Sequence, residues 1–152
     1  MTKKIAAILA GILVIVVGAF ILIGGGKDEV PTGGDLIIPK SAVSEKARFY
    51  PYKAGDIKME VLAVKAPDGT IRTAFNTCQI CYDTGKGYYK QDGDELVCQN
   101  CLNRFKTSDV EVIHGGCNPV PILKEQKTDD GENLIIPQTF LESNAVLFEK
   151  WK

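Results

Sequence analysis

Cys78-Gln79-Ile80-Cys81 and Cys98-Gln99-Asn100-Cys101 are two Cys-x-x-Cys pairs separated by sixteen residues. That spacing belongs to four-thiolate metal sites. Two residues between cysteines let the backbone turn so that both sulfurs face one point, with peptide N–H groups aimed at them. Two such turns face to face make a tetrahedron of sulfur, with Zn–S near ~2.3 Å if the ion is zinc. The same thiolates suit mononuclear iron or an iron–sulfur cluster. Cys78, Cys81, Cys98 and Cys101 are therefore the expected metal ligands. No βαβ pattern surrounds either pair, which argues against a thioredoxin-like redox motif.

Between the pairs, Gly87-Tyr88-Tyr89-Lys90 and Glu95-Leu96-Val97 flank Gln91-Asp92-Gly93-Asp94, which carries turn chemistry. The order is knuckle, hairpin, knuckle, a zinc-ribbon-like unit. Upstream, Ile57–Lys65 and Ile71–Phe75 flank Ala66-Pro67-Asp68-Gly69-Thr70 and predict a second hairpin that runs into Cys78. Tyr82, Tyr88, Tyr89 and Phe105 are expected to form an apolar shell around the site. A fifth cysteine, Cys117, follows Gly115-Gly116, and the only histidine, His114, lies three residues before it. Both are candidates to complete or tune the centre.

Further out, Leu36-Ile37-Ile38-Pro39 recurs as Leu134-Ile135-Ile136-Pro137, 98 residues later. Each copy reads as a strand, a helical turn and a second strand, and Thr139 to Glu142 fits a capping box. Side by side, the copies would place the beginning and end of the domain in one sheet. No long amphipathic helix follows residue 26. The expectation is a mostly β, small α+β domain over residues 36–152.

Ile5 to Ile23 contains no charge. At ~1.5 Å per residue it extends roughly 28 Å, the thickness of a bilayer's hydrocarbon core. Residues 1–26 read as one transmembrane anchor and 27–35 as a flexible linker. Lys3 and Lys4 before the run place the N-terminus in the cytoplasm and the domain outside. Beyond residue 26 there are 16 basic and 19 acidic residues, a net charge of −3. An acidic domain of this kind is a poor binder of nucleic acid. No nucleophilic triad, phosphate-binding loop or paired catalytic carboxylates are present.

The run NTCQICYDTGKGYYKQDGDELVCQNCLNRF, followed by GGCNPVP and preceded by KAPDGTIRTAFNTC, resembles the FtrD-like family of membrane iron–sulfur-containing proteins over residues 36–140. The resemblance implies a redox-active iron–sulfur protein at the membrane, associated with iron or other metal transport. Its pattern makes Cys78, Cys81, Cys98, Cys101 and Cys117 candidate ligands. It also implies a permease or redox partner, because a single membrane segment cannot itself form a permease. Leu102 departs from the glycine expected after the second pair. Iron–sulfur or mononuclear iron is the leading cofactor, and zinc in a purely structural ribbon is the alternative. A thiol–disulfide oxidoreductase is a third reading.

Overall fold

The computed structural model describes residues 30–152. The apolar run read as an anchor lies outside the described residues. Among the described residues no helix is long and apolar enough to cross a membrane.

Ten strands and a few short helices make up the domain. Strands β2 (Arg48–Ala54), β3 (Ile57–Lys65) and β4 (Ile71–Cys78) form an antiparallel meander, and β8 (Pro119–Pro121) adds to the far side of β4. The β3–β4 hairpin forms as expected, but β4 runs three residues past Phe75, to Cys78. Its turn is tied by Asp68, which accepts from the Thr70 N–H and hydroxyl and pairs with Arg72.

This four-stranded sheet is buried on both faces. Along β3, Val61 and Ala63 join one apolar cluster, while Leu62 and Val64 join another, as a period of two requires. Over the first face lies a three-stranded sheet of β1 (Leu36–Pro39), β10 (Asn133–Ile136) and β9 (Thr128–Asp129). The two Leu-Ile-Ile-Pro copies are thus antiparallel neighbours, with Leu36 opposite Ile136 and Ile38 opposite Leu134. Their side chains share a core with Phe75, Leu141, Phe148 and Trp151.

The second copy departs from its expected form after β10. Helix α1 (Gln138–Ser143) starts from Pro137, with no side-chain cap from Thr139. Instead the Gln138 amide donates to Glu142 at 2.6 Å. The residues expected to form a strand are a 3-10 helix, Ala145–Phe148. Tertiary packing explains this: Phe148 sits edge-on to both Phe75 and Trp151, and the Trp151 indole donates to the Asn76 carbonyl at 2.6 Å. A strand there would carry these rings away from the core.

Over the opposite face lies a second three-stranded sheet, β5 (Tyr89–Asp92), β6 (Glu95–Cys98) and β7 (Arg104–Lys106). Leu96, Tyr89 and Phe105 close on Leu62, Val64 and Ala74. Cys78, Cys81 and Cys98 belong to this second core.

Candidate metal centre

The two hairpins deliver the cysteine pairs to one place. β4 ends at Cys78 and β6 ends at Cys98. Backbone bonds hold both turns: the Cys78 N–H donates to the Gly87 carbonyl at 2.7 Å, and the Gln99 N–H to that of Tyr88 at 2.8 Å. The sulfurs of Cys81, Cys98 and Cys101 lie within 4.8 Å of one another, and so do those of Cys78, Cys81 and Cys117. Cys81 is common to both groups. All five cysteines are free thiols.

Cys117 arrives by a separate route. Pairing of β8 with β4 sets Pro119 opposite Cys78. Gly115 and Gly116 turn the chain back at φ +85° and +66°, where a side chain would be strained. Gln79, inside the first pair, clamps this loop from both sides. Its amide donates to the Pro119 carbonyl at 3.1 Å and accepts from the Gly115 N–H at 3.2 Å. The Asn103 amide donates to the Cys117 carbonyl at 2.9 Å.

Peptide N–H groups point at the sulfurs as the turns require. Cys78 receives those of Ile80 and Cys81, Cys98 those of Asn100 and Cys101, and Cys101 that of Asn103. Burial pushes the Cys78 thiol up, but these bonds and the Tyr89 hydroxyl bring it below its usual value. At Cys98 burial wins and the thiol rises to about 12. Burial also leaves Cys81 raised, against the Asn100 side chain. Cys101 is pulled below its usual value, since the Asn103 N–H and the Cys117 thiol outweigh burial. Cys117, donating to Cys101, is held up at about 12. The Tyr89 hydroxyl reaches both the Cys117 carbonyl, at 2.8 Å, and the Cys78 sulfur, and its own ionisation is suppressed by burial. The Tyr89 hydroxyl and the Asn103 amide both donate to the Cys117 carbonyl, one to each lone pair, and so pin the Cys117 loop beside Cys78.

Two backbone details fix the geometry. Gly87 packs so closely under the first turn that a Cβ there would lie 2.1 Å from the Cys81 carbonyl oxygen. Leu102, where glycine was expected, takes the left-handed conformation all the same, with φ +61°. The second knuckle keeps its shape, at a local cost of ~1–2 kcal/mol. Leu102 gains no packing in return, being 69% exposed.

His114 is exposed and belongs to neither sulfur group. Of the four aromatic residues expected as a shell, Tyr89 and Phe105 pack with the cysteines. Tyr88 packs instead on the other core, edge-on to Trp151. Tyr82 is part of neither cluster. Gln79, Gly87 and Asn103 were not visible as site residues from sequence.

The donor set is sulfur alone, which suits zinc, iron or an iron–sulfur cluster and excludes hard cations as good fits. Around one zinc ion with bonds of ~2.3 Å, tetrahedral sulfurs stand roughly 3.8 Å apart. The sulfurs of each group lie within 4.8 Å of one another, close enough to share an ion, so the residues present fit a thiolate-held metal centre. Burial of Cys78, Cys81 and Cys98 keeps water from most of the centre, while Cys101 remains exposed.

No curated protein and no solved structure matches the chain. The family described as "Membrane iron-sulfur containing protein FtrD-like" matches residues 43–148, more than two thirds of the sequence. With its cysteines gathered at one pole of a β domain, the chain belongs to the FtrD-like family of membrane iron–sulfur containing proteins.

Proposed function

We propose that this is a membrane-anchored, extracytoplasmic electron carrier that serves iron or other metal uptake through a membrane-bound partner. The observation behind it is the convergence of five sulfurs, Cys78, Cys81, Cys98, Cys101 and Cys117, with no oxygen or nitrogen ligand among them. An iron–sulfur cluster held there supplies one-electron redox chemistry. The protein's part is to bind, orient and insulate. Cys78, Cys81, Cys98 and Cys101 bind from two knuckles whose N–H groups offset thiolate charge. Cys117 joins from the β8 side, and the Tyr89 hydroxyl, donating to the Cys117 carbonyl, holds that loop against the centre. Tyr89, Leu96 and Phe105 exclude water on the buried side. Cys101, on the exposed side, is the shortest route for an electron to leave. Residues 1–26 hold the domain at the bilayer, with the N-terminus inside.

The test is anaerobic purification of the full chain with iron, sulfide and zinc analysis and an absorption spectrum on one sample. Iron with inorganic sulfide and a reversible bleach on reduction is expected. A colourless protein with one zinc would overturn the proposal. The knuckle–hairpin–knuckle arrangement favours that second reading, a structural zinc module without redox activity, and the same sample decides between them.

A further inference from the structure

The surface around the sulfur centre is apolar. Among the described residues seven large hydrophobic side chains are exposed: Val30, Ile37, Ile80, Leu102, Val112, Ile113 and Val146. Four of them surround the cysteines. Ile80 lies inside the first pair and Leu102 directly after the second. Ile113 shares a hollow with Asn103 and Asn118, the neighbours of Leu102 and Cys117, and Val112 adjoins it. Neither packing nor backbone geometry calls for leucine at 102, since glycine would take φ +61° without strain. An outlier of this kind points to a role at the surface.

The path of the chain shows what this surface meets. The described chain is first tied down beside Lys53: the Lys53 N–H donates to the Pro31 carbonyl at 2.9 Å, and Thr32 bridges Lys53. Lys53 pairs with Lys58, and Val61 with Phe75. Three residues back along β3 and three forward along β4 bring Cys78 about level with Lys58. The tether point and Cys78 therefore lie at the same end of the four-stranded sheet, three strand spacings or about 15 Å apart. From Ile23, the end of the apolar run, to Pro31 is eight residues, at most roughly 28 Å of extended chain. On the anchored reading, this end lies nearer the start of the tether than the β3–β4 turn does, by seven residues of strand or about 23 Å. Val30, at the tether itself, is exposed as well.

We propose that the cysteine pole is a membrane-contact face, with Ile80, Leu102, Val112 and Ile113 seated in the lipid interface so that the sulfur centre lies against the bilayer. This rests on the anchored reading given above. The occupant is the lipid surface. Side chains of this kind enter the boundary between headgroups and acyl chains. An electron from Cys101 is then delivered at the membrane plane, where an integral partner has its donor or acceptor.

The full chain reconstituted in phosphatidylcholine vesicles containing brominated lipid tests this. Three variants each add one tryptophan: Leu102→Trp, Ile80→Trp, and Lys65→Trp at the opposite end of the sheet. Trp151 is buried and gives a constant background. The expected result is a blue shift and a loss of the added emission for Leu102→Trp and Ile80→Trp, with Lys65→Trp unquenched. If the chain resists carbonate extraction yet neither pole variant is quenched beyond Lys65→Trp, the contact face is refuted while the anchor stands, and the apolar surface belongs to a protein partner. If carbonate extracts the chain, the anchor and the contact face fall together.

Discussion

Replacing Gly87 with alanine adds one methyl group at the tightest point of the centre. The Cβ would sit 2.1 Å from the Cys81 carbonyl oxygen and 2.5 Å from its carbon. Real Cβ atoms essentially never come within 3.0 Å of a heavy atom, so a gap of about 0.9 Å must open between two backbone segments. Neither is free to yield. The Gly87 carbonyl accepts the Cys78 N–H at 2.7 Å, and the Cys81 carbonyl accepts both the Thr84 N–H and its hydroxyl. Metal–sulfur distances tolerate shifts of only ~0.2 Å. Moving Cys81, the sulfur common to both groups, by several times that amount should empty the site. Overpacking adds a stability cost of about 1–3 kcal/mol. Gly87 lies outside the left-handed region, so the effect is steric and not conformational. Iron and sulfide analysis with urea unfolding of Gly87→Ala is the assay. A variant with full metal content and an unchanged midpoint would refute the packing assigned to this turn.

At Leu102, substitution by glycine should raise stability by about 0.5–1 kcal/mol, because relief of left-handed strain exceeds the entropy glycine adds to the unfolded chain; a fall in the urea midpoint would contradict this. Lys127 is nearly buried and gives its three protons to Glu111, Thr73 and the Ile122 carbonyl. Lys127→Met leaves the Glu111 carboxylate buried and unpaired, which should cost about 3–5 kcal/mol in urea unfolding. Burial holds the Lys127 amine below its ordinary 10.5. The folded state then binds fewer protons than the unfolded state between the lowered value and 10.5, so this residue's contribution to stability rises with pH across that window. Lys127→Met should remove that rise from the pH profile of unfolding. His114→Ala should leave the absorption spectrum and metal content unchanged, and a loss of metal would show that His114 reaches the centre.

What sequence reveals here follows from how local the cause is. Both hairpins are set by a few turn residues, and both knuckles by the two-residue spacing of their cysteines, so all of these were readable. The pairing of β1 with β10 was readable because the two Leu-Ile-Ile-Pro copies match. Ala145–Phe148 was not, because its apolar residues satisfy a strand as well as a helical turn, and only Phe75 and Trp151 decide between them. The Glu111–Lys127 pair lacks any local signature: the two residues meet because β8 folds back along β4. The same return path brings Cys117 to Cys78, so the flanking glycines could mark the residue without revealing its neighbours. Gly87 is equally silent, since its need for a missing side chain arises from a carbonyl six residues earlier in the chain.

The pairing of Leu36 with Ile136 has a consequence for biogenesis. The first strand of the domain cannot find its neighbour until nearly the whole polypeptide has been synthesised. Contacts so distant in sequence form slowly. The thiols of Cys78 through Cys117 all precede β10 in the chain and are therefore made before this last sheet can close. On the extracytoplasmic side proposed above, exposed thiols tend to pair as disulfides, so prompt loading of the centre, or a reducing escort, would preserve them until the domain is complete.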